Sequence, residues 1–353
     1  MGFLYSKLIK PRLFTDYNGL PVSGSFPVKE SSAILIDRAR TDPFEKDGSF
    51  REVPVHFFYP EQDEDYAGRF PLVVFSHGAF GYYKSNYSTY QELASNGYVV
   101  AALDHPHHAF FTKNTRGKRV FVDGSFFKVV RGGGGDLDVQ QEYELYSGWT
   151  ALRAADVSFV LDALKAAAKR GATDDSWFCS DKDGEAVLSV LRILDAGRIG
   201  VMGHSLGGAA AVEVGRQRDD VSAVIDLDGT MLGEYTGVEN DTLTVRKEEY
   251  AVPVLDFCAW DQYNRLKDIL AQGVCYPNDV LIRSAAAGFT TTVRDTKHMD
   301  FTDLPLFSPF LGKKLGVGER DTAEAMAIVN SLVLEFFNCY LKGEGVFTVQ
   351  EIY

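Results

Sequence analysis

The sequence predicts an α/β protein built on a mostly parallel central sheet of about eight strands, with helices on both faces. Short apolar runs alternate with segments of helical period, which is the pattern of strands joined by crossover helices. Several runs are apolar throughout, as expected of strands that are covered on both faces. The eight runs are Ala33–Ile36, Val53–Tyr59, Leu72–Ser76, Tyr98–Leu103, Ile199–Met202, Val221–Leu227, Val252–Phe257 and Thr290–Val293.

Four helices are predicted between and after these runs. Tyr87–Asn96 is followed by Gly97, a residue that readily adopts the left-handed conformation in which helices stop. Trp149–Arg170 has apolar residues at helical spacing and is followed by Gly171. The remaining two helices are Gln262–Gln272 and Ala323–Leu341.

The whole chain of 353 residues is expected to form one domain, because no linker rich in Pro, Gly or Ser divides it. We expect an N-terminal arm over residues 1–30 and excursions from the core over residues 106–148 and 171–196. The glycine-rich segment Arg131–Asp136 lacks the Lys-Ser/Thr of a phosphate-binding loop, which favours a hinge or lid edge. The acidic segment Ala172–Glu185 lacks the spacing of a calcium loop, which favours a solvated surface loop.

The composition is that of an ordinary globular protein, with 45% hydrophobic and 24% charged residues. A formal net charge of −13 argues against binding to a nucleic-acid backbone, so we expect no nucleic-acid partner. The chain has four cysteines without C-x-x-C spacing, which favours buried thiols in a reducing compartment over a zinc site. A single Cys258–Cys275 bridge stays open.

The N-terminus has no continuous apolar core and no small-residue cleavage site, so a cytoplasmic location is expected. No stretch reaches the roughly 18 apolar residues that a membrane helix needs. Gly2 and Ser6 fit the M-G-x-x-x-[ST] pattern for N-myristoylation, and Lys7, Lys10 and Arg12 follow. A lipid chain with these cations could hold the protein weakly on a membrane surface. The favoured alternative is an ordinary N-terminal arm.

The strongest functional signal is Gly203-His-Ser205-Leu-Gly207, which matches the G-x-S-x-G motif of a nucleophile elbow. An apolar strand enters the motif and a helix of small residues leaves it, as the α/β-hydrolase fold requires. A nucleophile on so sharp a turn is crowded from both sides, so glycine is needed two residues before and two residues after it. Ser205 is therefore the predicted nucleophile.

A serine nucleophile needs an oxyanion hole, and the strand that ends at His77-Gly78 supplies one half of it. We expect the backbone N–H groups of Ala79 and Leu206 to be the oxyanion donors. Gly78 lets the loop approach closely. His77 precedes Ser205 in the chain and is expected to brace this loop rather than act as the base, since the order in this fold is Ser, acid, His.

His298 is the predicted base, because it is the only histidine that follows Ser205 in the chain. The acid is less well defined. Asp228 and Asp261 each end a strand that lies between Ser205 and His298 in the sequence. Most enzymes of this fold use the later of these two positions for the acid. Asp226 and Asp256 lie within their strands and are poorer candidates for reaching a loop histidine.

Histidines in the segment Asp104–Phe111 raise a second possibility, a metal site formed by His105, His107 and His108. Pro106 makes the segment an extended loop, and no carboxylate motif downstream completes a zinc site. A pocket-wall loop is favoured, and we expect neither a metal nor a cofactor. Aromatic residues of the neighbouring loops are candidates for an apolar substrate site. They are Phe80, Tyr82, Tyr83, Phe110 and Phe111.

Together these segments resemble the platelet-activating factor acetylhydrolases of the plasma and intracellular type II kind and their microbial relatives. The resemblance implies the acid: in that family an Asp follows the nucleophile by one strand, which corresponds to Asp228, 23 residues after Ser205. The family's Trp-rich loop after the acid is replaced here by Gly229–Tyr235. The matching segments are Phe75–Gly81, Tyr98–His105, Ala154–Leu164, Gly203–Gly208, Asp226–Asp228 and Lys297–Asp303.

We therefore expect a serine ester hydrolase with the triad Ser205, Asp228 and His298, with Asp261 as the alternative acid. The resemblance implies short-chain or phospholipid acyl esters as substrates. Alternatives are a general carboxylesterase, a polyester or thioester hydrolase of the same fold, or a catalytically silent hydrolase fold that only binds ligands. The oligomeric state stays open.

Overall fold

The structure, a computed structural model, describes residues 15–62, 66–133, 137–170 and 181–353. Several sequence-based expectations fall outside these ranges. They concern the myristoylation motif, Cys179, part of the glycine-rich segment and most of the acidic segment. Within the described ranges Cys258, Cys275 and Cys339 are free thiols, so Cys258 and Cys275 are not bridged.

Twelve strands occur in the described part of the chain, and eight of them form one sheet in the order β1-β2-β4-β3-β7-β8-β11-β12. Strands β4, β3, β7, β8, β11 and β12 run parallel, while β1 and β2 pair antiparallel at one edge. The strands are β1 Val28–Thr41, β2 Phe50–Pro60, β3 Phe70–Ser76, β4 Val99–Leu103, β5 Phe111–Lys113, β6 Arg119–Phe121, β7 Leu194–His204, β8 Ala223–Leu227, β9 Tyr235–Glu239, β10 Thr242–Val245, β11 Val254–Ala259 and β12 Gly288–Val293.

The described α-helices connect and cover these strands. They are α1 Tyr87–Ser95, α2 Gly124–Lys128, α3 Val139–Arg170, α4 Asp181–Ile193, α5 Leu206–Gln217, α6 Trp260–Ala271, α7 Pro277–Ser284, α8 Leu304–Phe307, α9 Pro309–Leu315 and α10 Thr322–Phe337. Short 3₁₀ turns lie at Tyr83–Asn86, Leu232–Glu234 and His298–Phe301, and π turns at Val129–Gly133 and Asn338–Lys342.

Each face of the sheet carries its own apolar core. Side chains alternate along a strand, so Leu72 and Val74 of β3 enter one core while Val73 and Phe75 enter the other. The first core includes buried residues of α3 and α5, and the second includes those of α1 and α10. The predicted mostly parallel sheet of eight strands with helices on both faces is confirmed.

The predicted elements differ from the structure mainly in length. Helix α3 begins at Val139, ten residues before the predicted start, because its first turns are polar and largely exposed and so show no apolar period. Strand β1 extends to both sides of Ala33–Ile36 with exposed polar residues. The small hairpins β5–β6 and β9–β10 are not predicted.

The C-terminal helix α10 and the π turn that follows it form one long apolar segment. Residues Thr322–Lys342 are long and apolar enough to cross a membrane, by length and composition only, and half of the most apolar window is buried inside the protein. Phe336 and Phe337 are fully buried in the second core. This burial is that of a helix that packs on a sheet.

Candidate active site

Ser205 lies at the turn between β7 and α5, where its backbone has φ 56° and ψ −126°. A positive φ is costly for a residue with a Cβ and is typical of strained functional turns. The glycines around it explain the spacing of the motif. A Cβ on Gly203 would lie 2.3 Å from the Gly207 backbone, and a Cβ on Gly207 would lie 2.0 Å from the Ser76 carbonyl oxygen.

His298 and Asp228 are paired. The Nδ1 atom of His298 lies 2.6 Å from Oδ2 of Asp228, while Oδ1 of Asp228 accepts a 2.7 Å hydrogen bond from the Ala259 N–H. Because a carboxylate only accepts hydrogen bonds, Nδ1 carries the proton and Nε2 is the free ring nitrogen. The Asp228 side chain is nearly buried, and that of His298 is half exposed. The carboxylate of Asp228 is therefore held inside the protein, while the imidazole of His298 is accessible.

Asp261 occupies a different position. It lies in the first turn of α6, where it is exposed and its carboxylate accepts a 2.9 Å hydrogen bond from the Gln262 N–H. Asp228 and Asp261 both line the cavity described below. Of the two candidate acids, Asp228 is the one in contact with the imidazole.

Two backbone N–H groups beside Ser205 are available. Within the described ranges, the amides of Ala79 and Leu206 donate to no protein acceptor, and both residues line the same cavity as Ser205. Leu206 is the first residue of α5, where helix geometry leaves the N–H groups without internal partners. A Cβ on Gly78 would come within 2.7 Å of His204 Nδ1, so glycine is required in this loop.

His204 links the turn that carries Ser205 to the loop that carries His298. Its ring is buried, its Nε2 lies 3.1 Å from the His298 carbonyl oxygen, and the two rings are 4.4 Å apart. Burial and the neighbouring His298 hold the pKa of His204 well below its usual value. The ring is therefore neutral, and its Nε2–H donates to the loop that carries His298.

A cavity of about 410 Å³ opens beside these groups. Ser205, His298, Asp228, Ala79 and Leu206 all line it. Its other walls come from the π turn at Val129–Gly133, β11, α3, α6, α7 and the segment after β8. They include Val130, Tyr146, Trp149, Thr230, Leu232, Asp256, Cys258, Gln262, Arg265, Leu266, Tyr276 and Asn278.

The aromatic residues proposed from the sequence do not line this cavity. Phe80 packs against Phe127, with ring centroids 5.0 Å apart, and Tyr82 packs against Tyr83. Phe110 is 57% exposed. Aromatic side chains that do line the cavity are Tyr146, Trp149, Phe257 and Tyr276.

One part of the cavity wall is polar. Asp256 is almost fully buried, and its Oδ1 accepts a 3.2 Å hydrogen bond from Asn278 Nδ2. Burial, assisted by the charge of Asp228, raises the pKa of Asp256 to about 7. The hydroxyl groups of Thr230 and Tyr276 are 2.9 Å apart on the same wall. A substrate group that reaches this wall meets hydrogen-bonding partners.

Asp226 lies beneath the nucleophile turn and is fully buried. Its Oδ1 accepts a hydrogen bond from the Gly229 N–H, and a Cβ on Gly208 would lie 1.7 Å from that oxygen. Burial, with the charges of Asp256 and Asp228, raises the pKa of Asp226 well above its usual value. We therefore infer that the Asp226 carboxyl group is neutral and that it fills the space under the turn.

The three histidines of the Asp104–Phe111 segment have separate partners. His105 bridges Ser76 Oγ and Asp156 Oδ2, at 2.9 and 3.0 Å. His107 lies near Asp42 and Glu45, and His108 contacts Arg153. Within the described ranges no group of three His, Cys, Asp or Glu side chains could hold a metal ion.

Comparison with known proteins places the chain in a family. A family model described as platelet-activating factor acetylhydrolase, isoform II, matches residues 61–347. The platelet-activating factor acetylhydrolase of Gallus gallus is 25% identical over 299 residues, which cover 78% of this chain and 63% of that protein. That of Canis lupus familiaris is 23% identical over 299 residues, covering 77% and 57%. The chain thus matches about 57–63% of the length of these relatives.

Among solved structures, a ferulic acid esterase from Streptomyces cinnamoneus is similar with a TM-score of 0.65 and 22% sequence identity. The similarity covers 92% of this chain and 93% of that chain, and it confirms the α/β-hydrolase fold. The family model covers most of the sequence, including every strand from β3 to β12. The protein belongs to the platelet-activating factor acetylhydrolase isoform II family.

Proposed function

We propose that this protein hydrolyses carboxylic esters through an acyl-enzyme on Ser205. The observation that carries the proposal is that one cavity holds a strained serine, a paired His298–Asp228 and two backbone N–H groups without an acceptor among the described residues. Family membership and the names of the relatives, platelet-activating factor acetylhydrolase, support the same activity. The free thiol of Cys258 is not a competing nucleophile, because burial raises its pKa far above neutrality.

In the first half of the reaction, His298 Nε2 takes the proton of Ser205 as Oγ bonds to the ester carbonyl carbon. The carbonyl oxygen becomes an oxyanion, and the amides of Ala79 and Leu206 donate to it. Asp228 keeps Nδ1–H oriented and stabilises the imidazolium. The bond to the alcohol oxygen then breaks, and the alcohol leaves with the proton from His298.

In the second half, water attacks the acyl-enzyme and gives its proton to His298 Nε2. The bond between Ser205 Oγ and the acyl carbon breaks, Oγ recovers the proton, and the carboxylic acid leaves. The same oxyanion donors serve both halves, since each passes through a tetrahedral intermediate on the same carbon.

The cavity favours an ester with a short acyl chain, such as the acetyl ester of platelet-activating factor. Asp256, Asn278 and the Thr230–Tyr276 pair make one wall polar, and placing a long alkyl chain against them would remove water from these groups without replacing its hydrogen bonds.

The test is hydrolysis of p-nitrophenyl acetate by the native protein and by Ser205→Ala. We expect Ser205→Ala to lose roughly 10³-fold or more in kcat. Ser331→Ala, a change of an exposed serine on α10, is the matched control and should keep full activity. Equal rates for Ser205→Ala and the native protein would remove Ser205 from the reaction. No hydrolysis and no labelling by a fluorophosphonate would indicate a silent binding protein.

A substrate panel tests the chain-length proposal separately. It pairs 2-acetyl with 2-palmitoyl phosphatidylcholine, and p-nitrophenyl acetate with p-nitrophenyl octanoate. We expect each short-chain member to have the higher kcat/KM. Preference for palmitoyl and octanoyl groups would contradict the assignment of the polar wall as a limit on acyl length.

A further inference from the structure

Arg153, in the middle of α3, is a fully buried cation directed at backbone rather than at a carboxylate. Its Nη1 donates to the His77 carbonyl oxygen, and its Nη2 lies 3.5 Å from the Gly78 carbonyl oxygen. These two carbonyl groups immediately precede Ala79. The guanidinium therefore holds the segment that leads into the predicted oxyanion donor.

The environment of Arg153 is unusual for a buried charge. Burial lowers its pKa to about 9, so the group is still charged near neutral pH. A buried cation is normally matched by a carboxylate in hydrogen-bond contact, because desolvation is expensive. Arg51 follows this rule, with Asp156 at 2.7 Å and Asp42 at 3.0 Å. Among the described residues, Arg153 instead donates to carbonyl oxygens and a histidine, and Asp156 acts on it through its charge without a hydrogen bond.

The peptide between Gly78 and Ala79 is fixed from its carbonyl side. Besides Arg153, the Gly78 oxygen accepts from the Gly81 N–H at 3.1 Å and from His77 Nδ1 at 2.6 Å. The peptide is trans, so its N–H points opposite to its C=O. Fixing the Gly78 oxygen on the protein side consequently directs the Ala79 N–H away from these donors. Ala79 lines the cavity, and its N–H has no acceptor within the described ranges.

The Arg153 side chain is itself held in place. Its Nε donates to His108 Nδ1 at 3.2 Å, and the His108 ring is stacked on Phe126 with centroids 4.0 Å apart. The carbonyl oxygen of His108 accepts from the Phe80 N–H at 3.0 Å. His108 thus contacts both the guanidinium and the oxyanion loop and connects the two.

We propose that Arg153 is a positioning residue for the oxyanion hole, which aims the Ala79 N–H into the cavity by holding the His77 and Gly78 carbonyl groups. The proposal rests on the ester-hydrolase function proposed above. The positive charge of Arg153 also lies behind the Gly78–Ala79 peptide, where it favours the negative charge that develops on the substrate oxygen in the transition state.

The experiment compares Arg153→Met and Arg153→Lys with the native protein. Active sites are first titrated with a fluorophosphonate, so that kcat is expressed per competent Ser205. We expect kcat per titrated site to fall about 10²-fold for Arg153→Met, which is the effect of losing one oxyanion donor, with KM nearly unchanged. Arg153→Lys keeps the positive charge but not the planar guanidinium. Its kcat per titrated site should therefore lie between those of the native protein and Arg153→Met.

A second readout uses a trifluoromethyl ketone, which forms a tetrahedral oxyanion on the serine. Its inhibition constant should rise in parallel with the loss of kcat, because both depend on the same donors. Arg51→Lys is the matched control, a buried arginine whose ion-pair partners, Asp42 and Asp156, lie outside the oxyanion loop. It should lower the unfolding temperature without lowering kcat per titrated site.

The outcomes separate this proposal from the function it rests on. A native protein without ester hydrolysis or titratable serine would overturn the proposed function, and this proposal with it. An active native protein whose Arg153→Lys and Arg153→Met variants keep full kcat per titrated site would overturn the positioning role alone. If Arg153→Met does not fold, Arg153→Lys decides, since a merely structural arginine would reduce the titrated fraction and not the rate per site.

Discussion

His298 Nδ1 and Asp228 Oδ2 lie 2.6 Å apart although 70 residues separate them in the chain. Asp228 directly follows β8 and His298 follows β12, and β11 lies between these strands in the sheet. Asp228 has φ 54°, and its N–H donates to the Phe257 carbonyl oxygen at 2.7 Å. The turn carries its carboxylate across the end of β11 toward the imidazole. Parallel strands thus bring the pair to one edge of the sheet.

Asp228→Asn should reduce kcat by about 10³–10⁴-fold, because an amide does not hold the imidazole in the required tautomer or stabilise its positive charge. Asp261→Asn should change kcat little, since Asp261 contacts the Gln262 N–H on α6 instead. Steady-state kinetics with p-nitrophenyl acetate checks both. The reverse order of effects would assign the acid to Asp261.

Gly207→Ala should destabilise the protein by about 3 kcal/mol or more and abolish activity, because its Cβ would lie 2.0 Å from the backbone oxygen of Ser76. Backbone at this position cannot move without moving Ser205. Gly124→Ala is the control: a Cβ at Gly124, on α2, meets no atom within 4 Å. Urea denaturation and ester hydrolysis measure the two effects. Normal stability of Gly207→Ala would contradict the described elbow.

Asp303 should make stability depend on pH. It is fully buried after the His298 turn, its Oδ1 accepts from Ser88 Oγ at 2.7 Å, and burial raises its pKa to about 7. The folded protein therefore keeps this proton at pH values where the unfolded chain, with a pKa near 3.9, has lost it. This contribution to the free energy of unfolding falls as pH rises from about 4 to about 7.

Comparison with Asp303→Asn isolates that contribution, because the amide keeps the shape of the carboxyl group without its charge. Between pH 5 and pH 7 the native protein should lose about 2 kcal/mol relative to Asp303→Asn. Chemical denaturation at a series of pH values measures the difference. A constant difference across this range would show that Asp303 ionises normally.

Asp156→Ala should destabilise the protein by about 3–5 kcal/mol. Asp156 is fully buried and accepts from Arg51 at 2.7 Å, Arg40 at 2.9 Å and His105 at 3.0 Å. Removing the carboxylate leaves the buried Arg51 with only Asp42 as a carboxylate partner. Asp162→Ala, on the same helix, removes a 57% exposed carboxylate that pairs with Arg218, and should cost less than about 1 kcal/mol. Similar losses in urea denaturation would argue against the buried pair.

The fold and the nucleophile were the parts most open to prediction, because local pattern specifies them. Each of the eight strands of the main sheet overlaps one of the predicted runs. The inner strands are covered on both faces and therefore need apolar side chains on both, while the edge strand β1 has exposed polar residues toward both ends. The elbow motif includes two glycines at which a Cβ would collide with neighbouring backbone atoms, so the spacing of the motif follows from a steric requirement.

The remaining parts of the site depend on which elements meet in space. Asp228 and Asp261 both follow strands, and only the direction of each side chain separates them. The cavity residues Tyr146 and Trp149 come from a helix whose first turns have no apolar period. From the sequence alone, an arginine in a helix such as Arg153 is expected to face solvent. Its burial follows from the packing of α3 against the oxyanion loop.

The most direct test of the account is to trap the acyl-enzyme. The protein is mixed with p-nitrophenyl acetate, quenched in acid within milliseconds, digested and analysed by mass spectrometry. We predict one added acetyl group on the peptide that contains Ser205, and no such adduct in Ser205→Ala. Rapid ester hydrolysis without any acetylated intermediate, or an acetyl group carried by a different residue, would contradict Ser205 as the nucleophile.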